Sequence, residues 1–273
     1  MIKKTIYVTS CLALLACCYV VSDTYLTQEK QIFKAKTLPQ DHVFSYKQPF
    51  EEVYIKTGKD AQMHGLHFRC KNPKGVVLYF HGRGWNLGGK KRGGFPEDFL
   101  VRGYDVLAFD YRGFGKSFGP QSEKALHHDA EQAYRYVMGE YDEDKITLYG
   151  MSFGTSIATK LAASHSPKQL ILEAPYESML DMAERTAPYL PKAVTAWVLK
   201  YHLRTDQFIQ EVSCPVNIFH GTHDELIPHI SSSNLLERVR ETVKAKLISI
   251  NEGDHDHLPA HREYSLHLDI LLH

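Results

Sequence analysis

The sequence predicts an α/β fold: a mostly parallel central sheet flanked by helices. Three observations carry this. Short apolar runs without polar alternation recur along the chain, as strands buried on both faces require. Helical periodicity fills the intervals between them. Each loop of unusual composition follows directly on one of those runs, and open parallel sheets collect their chemistry at the carboxyl ends of strands. The composition allows one large core, with 273 residues, 43% hydrophobic and 23% charged. Formal net charge is zero, so nothing draws the chain toward nucleic acid, and none is expected as a partner.

Lys3 and Lys4 precede an apolar run from Ile6 to Val21. That run is shorter than the ~20 residues that cross a bilayer comfortably as a helix. Residues 1–22 are therefore expected to be an export signal or membrane anchor, which makes this an exported or membrane-anchored protein of the cell envelope. Three forms stay open: an uncleaved anchor, cleavage after Ser22, and a lipoprotein box Leu14-Leu15-Ala16-Cys17 in which Cys17 is acylated. Polar residues 23–45 are expected to form a tether, and residues 46–273 one domain. Three of the five cysteines lie in the N-terminal segment; of the other two, Cys214 precedes an apolar run and is expected as a buried thiol.

The domain opens with "EEVYIKT" and "HGLHFRC", expected as an antiparallel hairpin. Val76–Phe80 is a buried strand ending in His-Gly, and Tyr104–Phe109 another, ending in "DYRGFGKS". Leu126, Ala130, Ala133 and Val137 form one stripe of a helix. Strand Ile146–Tyr149 leads through Gly150 into an alanine-rich helix over 152–163. Leu170–Leu172, Val216–Phe219 and Lys246–Ile250 are further strands, with helices expected over 231–243 and 258–271. Between the first two of these lies an insert, residues 176–210, carrying Met179, Met182, Tyr189, Leu190 and Trp197. It reads either as a small cap over an acyl groove or as cover for the sheet edge.

Gly150-Met151-Ser152-Phe153-Gly154 has the form G-x-S-x-G between a strand and a helix. Lifting a serine oxygen clear of a sheet takes a very sharp turn, and residues two positions away must then lack bulk. Ser152 is the expected nucleophile. A hydroxyl needs a base, and for this turn the order is Ser, then Asp or Glu, then His. Asp224 follows one strand in "HGTHDELIP", with Glu225 as its rival. The last strand leads into Gly253-Asp254-His255-Asp256-His257, which offers His255 as base and His257 as the alternative. The oxyanion needs two backbone N–H donors. Phe153, after the nucleophile, supplies one; Arg83, in the loop "HGRGWN", is expected to supply the other, with Gly84 as the alternative. Asp110 precedes Ser152, the wrong order for a triad acid, and reads as structural. His127-His128-Asp129 lacks a matching ligand set, and no metal or other cofactor is expected.

With these residues in place, the chain resembles the alpha/beta-hydrolase superfamily from about residue 50 onward. It is most similar to small, N-terminally anchored serine hydrolases, a branch that includes depalmitoylating enzymes and peptidase-like bacterial relatives. The resemblance rests on "YFHGRGWNLGG", "FDYRGFGKS", "LYGMSFGTSIA", "LEAPYESM", "CPVNIFHGTHDELIP" and "EGDHDHLP", in that order. It implies Ser152 as nucleophile, Asp224 as acid and His255 as base, because His255 fits the family's Gly-x-His. Arg83 stands where Asn is common, which puts a cation at the mouth of the site. The implied function is a serine esterase or thioesterase acting on a small ester or acyl substrate, with N-terminal membrane attachment. A serine peptidase shares the same residues, but no second domain selects peptides; a non-catalytic binding module is the remaining alternative.

Overall fold

A computed structural model describes residues 2–89 and 95–273, with side chains from residue 18 onward. In chain order the elements are helix α1 (Ile2–Phe33), strands β1 (Phe50–Gly58), β2 (Ala61–Phe68) and β3 (Gly75–Phe80), helix α2 (Glu97–Leu100) and strand β4 (Tyr104–Phe109). Helix α3 (Glu123–Met138), strand β5 (Ile146–Met151), helix α4 (Gly154–Ala162) and strand β6 (Gln169–Glu173) follow. Three short helices come next: α5 (Met179–Thr186), α6 (Lys192–Val198) and α7 (Thr205–Phe208). Strand β7 (Val216–Gly221), helix α8 (Ile230–Arg238), strand β8 (Ala245–Ile250) and helix α9 (Arg262–Leu271) complete the chain.

The eight described strands make one sheet in the order β1-β2-β4-β3-β5-β6-β7-β8. The expected hairpin is β1 and β2, antiparallel to each other; β2 is also antiparallel to β4, and every later pairing is parallel. Successive side chains of a strand point to opposite faces, so a strand covered on both sides must be apolar throughout. In β3, Val76, Leu78 and Phe80 join the core cluster under α3 and α4. Val77 and Tyr79 join the cluster on the other face, with Tyr264 and Leu268 of α9. The helical stripe read from sequence, Leu126, Ala130, Ala133 and Val137, is the buried face of α3. Ser122 caps that helix by accepting from the Ala125 N–H at 3.0 Å.

Strands β3 and β5 are neighbours, with Phe80 opposite Gly150, yet the chain leaves β3 toward β4 on one side and β5 toward β6 on the other. The two loops diverge and leave a crevice at their carboxyl ends, the place where such sheets bind ligands.

The N-terminal segment differs from expectation. Residues 23–45 are not laid out as a free tether. α1 runs unbroken from Ile2 to Phe33, and the chain beyond it is pinned to the body: the Leu38 N–H donates to the Gly115 carbonyl at 2.8 Å, and Phe44 is buried against His64. The burial of Ile32, Phe33 and Phe44 holds the segment down, offsetting its many solvated side chains. Among the described residues no helix is long and apolar enough to cross a membrane. The side chain of Cys17 lies outside the described residues. Cys70 and Cys214 are both unpaired, and burial pushes the Cys214 thiol up to about 12.

Candidate active site

Ser152 sits directly after β5 with φ of 48°, a conformation non-glycine residues rarely adopt. Three hydrogen bonds fix this turn. The Ser152 N–H donates to the Glu173 carbonyl at 2.8 Å, and the Ser152 carbonyl accepts from the Thr155 N–H at 3.0 Å and the Thr155 hydroxyl at 2.5 Å. The flanking glycines supply clearance. A Cβ on Gly150 would lie 2.7 Å from the Gly154 carbonyl oxygen, and one on Gly154 would overlap the Phe80 carbonyl. No larger residue fits either position while α4 packs this closely on β3 and β5.

Asp224 and His255 come from the loops after β7 and β8, and the structure brings both to Ser152. His255 Nδ1 lies 2.7 Å from Asp224 Oδ2, and His255 Nε2 lies 3.0 Å from Ser152 Oγ. A carboxylate only accepts, so Nδ1 carries the proton and Nε2 is left to accept from the serine hydroxyl. The other carboxylate oxygen, Oδ1, accepts from the N–H groups of Leu226 at 2.9 Å and Ile227 at 2.8 Å. Burial alone would raise the Asp224 carboxyl. Hydrogen bonds from His220, His255 and the Ile227 N–H outweigh it and hold the group well below the usual carboxylate range.

Sequence reasoning missed His220, which is fully buried at the end of β7. Its Nε2 faces the Ile227 carbonyl at 2.8 Å and Asp224 Oδ2 at 3.2 Å, and its Nδ1 accepts from the Ser232 hydroxyl at 2.5 Å. With acceptors on one nitrogen and a hydroxyl on the other, the ring is locked, and it supports the carboxylate from behind. The signal was present in Val216-Asn217-Ile218-Phe219-His220, a polar residue ending a buried apolar run.

The alternatives lie elsewhere. His257 is turned to solvent, with Nδ1 on Asp254 at 2.8 Å. Glu225 is exposed on the rim of the cavity described below. Asp110, fully buried, accepts from the Leu87 N–H at 3.1 Å and faces His81 Nε2 at 3.4 Å. Asp129 is held bidentately by Arg112, with both contacts at 2.7 Å.

The Arg83 and Phe153 N–H groups have no acceptor among the described residues. Both residues line the same cavity as Ser152, and a Cβ on Gly82 would sit 3.6 Å from that of Ser152. Gly84, the alternative donor, is occupied: its N–H donates to the Phe33 carbonyl at 3.0 Å.

The cavity over Ser152 holds about 580 Å³. The insert provides one wall through Met179, Met182, Leu190, Val194 and Val198, and Leu226 and Ile227 lie near Asp224. A second wall is α1, through Val20, Val21, Thr24, Gln28 and Ile32. This second wall was also missed, because Val20 and Val21 close the run read as a signal or anchor and Thr24, Gln28 and Ile32 fall in the stretch read as a polar tether. Among the described residues, the charged side chains lining the cavity are two cations, Arg83 and Arg185, and one carboxylate, Glu225.

A family model described as "Serine aminopeptidase, S33" matches residues 71–208, just over half of the chain. Lysophosphatidylserine lipase ABHD12 of Danio rerio is 30% identical over 187 residues, covering 62% of this chain and 48% of that protein. An uncharacterized protein of Mycobacterium tuberculosis is 33% identical over 141 residues, covering 51% of this chain and 49% of that one. The chain spans about half the length of the curated relatives it matches. Among solved structures, an esterase of Pyrococcus furiosus superposes with a TM-score of 0.67 at 18% identity, covering 88% of this chain and 97% of that one, a likeness of fold. The eight-stranded sheet, the sharp turn at Ser152 and the match over residues 71–208 place the chain in the alpha/beta-hydrolase superfamily, within its S33 family.

Proposed function

We propose that the chain is a serine hydrolase that cleaves carboxylic esters or thioesters of acyl or lipid-like substrates through Ser152, His255 and Asp224. One observation carries this reading: a continuous hydrogen-bonded line from Ser152 Oγ through His255 to Asp224, ending in a large, mostly apolar cavity. Ser152 Oγ attacks the acyl carbonyl while His255 Nε2 takes its proton, and Asp224 stabilises the imidazolium. The oxyanion forms between the N–H groups of Phe153 and Arg83. His255 then protonates the departing alcohol or thiol. Water attacks the acyl-enzyme with His255 again as base, and release of the acid restores the serine.

The substrate class follows from the walls. Methionine, leucine and valine side chains suit an acyl chain, and Arg83 suits a negatively charged head group, whereas Arg185 is paired with Asp181 at 2.9 Å. The lipase relative, which by name acts on an anionic lysophospholipid, points the same way. An aminopeptidase would need acceptors for a substrate ammonium, and Glu225 alone, exposed at the rim, supplies little of that. A panel of p-nitrophenyl esters, the matching thioesters and amino-acid anilides tests the assignment. Esters of medium to long acyl chains are expected to exceed the anilides in kcat/KM by at least about 100-fold. Faster cleavage of the anilides would overturn it.

The run from Ile6 to Val21 is proposed to attach the protein to a membrane. The full chain should then pellet with membranes and resist carbonate extraction. Full release into the wash would refute attachment by this segment.

A further inference from the structure

We infer that the end of α1 and the segment after it, Gln31–Lys36, are positioning residues for the oxyanion hole, so that the N-terminal segment takes part in catalysis. The inference rests on the hydrolase reading above and adds to it a role for residues far outside the motifs.

Three main-chain carbonyls of this segment bind the loop after β3. The Phe33 carbonyl accepts from the Gly84 N–H at 3.0 Å, and the Lys36 carbonyl accepts from Asn86 Nδ2 at 2.7 Å. The Gln31 carbonyl lies 3.5 Å from Arg83 Nη1. They bracket Arg83, which lines the cavity with Ser152 and whose own N–H has no acceptor among the described residues. The last carbonyls of any helix lack intrahelical partners, so α1 can offer them. Lys34 ends the helix with φ of 48°, turning the chain so that residues beyond Phe33 lie along the loop.

The Phe33 ring reaches the other donor. It is 1% exposed and packs edge-on against Phe153 with ring centroids 5.4 Å apart, and against Tyr201 at 4.9 Å and Phe114 at 6.3 Å. One residue therefore fixes both sides of the hole, by its carbonyl on the Arg83 side and by its ring on the Phe153 side. Further back, Gln28 fastens α1 to the insert: its Nε2 donates to the Val198 carbonyl at 3.1 Å, and its Oε1 accepts from the Lys200 N–H at 2.8 Å. A displacement of α1 must then be felt at the donors, and a shift of about 1 Å in a catalytic group is enough to cost ~100-fold in rate.

The test uses the full chain and p-nitrophenyl acetate, a substrate too short to depend on the α1 wall. Two changes are compared: Phe33→Ala, and replacement of the Gly84 N–H by oxygen through incorporation of glycolic acid at that position. Each is expected to lower kcat by about 10- to 100-fold with KM changed less than about threefold. Affinity for a trifluoromethyl ketone, which forms an oxyanion with the serine, should weaken in parallel with kcat/KM. Phe33→Leu, which refills most of the space, should recover most of kcat. If kcat and ketone affinity stay at native values while only the unfolding temperature drops, the segment is merely structural and the inference falls. If Phe33→Ala does not fold, the substitution at position 84 removes no side chain and decides the matter. A native chain inert toward both acetate ester and fluorophosphonate would bring down the hydrolase reading instead, a distinct result.

Discussion

Ser152→Ala is expected to abolish both ester turnover and covalent labelling by a fluorophosphonate. The substitution removes one oxygen from a turn held by main-chain hydrogen bonds at Glu173 and Thr155, so the fold has no reason to change. The loss should reach about 10⁴- to 10⁶-fold in kcat, the scale seen when an acyl-transfer nucleophile is deleted. Residual rate would come from the proposed Arg83 and Phe153 donors and from binding alone. The measurements are initial rates on an ester of the preferred chain length and gel fluorescence after probe treatment. Stoichiometric labelling of the alanine variant would mean that another hydroxyl reacts, and the assignment of Ser152 would be lost.

The second large effect is at the base. His255→Ala should cost a similar ~10⁴- to 10⁶-fold in kcat, while His257→Ala should stay within about threefold of native. The two histidines share one short loop, so their contrast isolates geometry from composition. His255 lies between Asp224 and Ser152 at 2.7 and 3.0 Å, whereas His257 is bound to Asp254 and is largely solvent-exposed. Removing His255 also deprives the buried Asp224 carboxylate of a donor. The His220 ring and the N–H groups of Leu226 and Ile227 still solvate it, so the variant should remain folded. A larger loss at His257 than at His255 would reverse the assignment.

The sheet was legible because its central strands are covered on both faces, which leaves uninterrupted runs such as Val76–Phe80 in the sequence. Ser152 was legible because clearance leaves a mark: nothing but glycine fits at Gly150 and Gly154. Asp224 and His255 could be picked out because each follows a strand on the same edge of the sheet. Spacing alone did not separate His255 from His257; that distinction comes from Asp254, which accepts from the His257 N–H and ring and turns it outward. The contacts of α1 with the site were hidden for a different reason. Its contacts to the loop after β3 run through the carbonyls of Gln31, Phe33 and Lys36, and a carbonyl is common to every residue type. The tether expected over 23–45 rested on polar composition, which a few well-spaced apolar residues, Ile32, Phe33 and Phe44, are enough to override.

The backbone of Ser152 holds a shape that glycine alone takes without penalty, at a cost of about 1–3 kcal/mol for any other residue. Glycine at that one position would therefore relieve the strain, less the ~0.5–1 kcal/mol its freedom in the unfolded chain takes back, and would remove the hydroxyl on which the proposed chemistry depends.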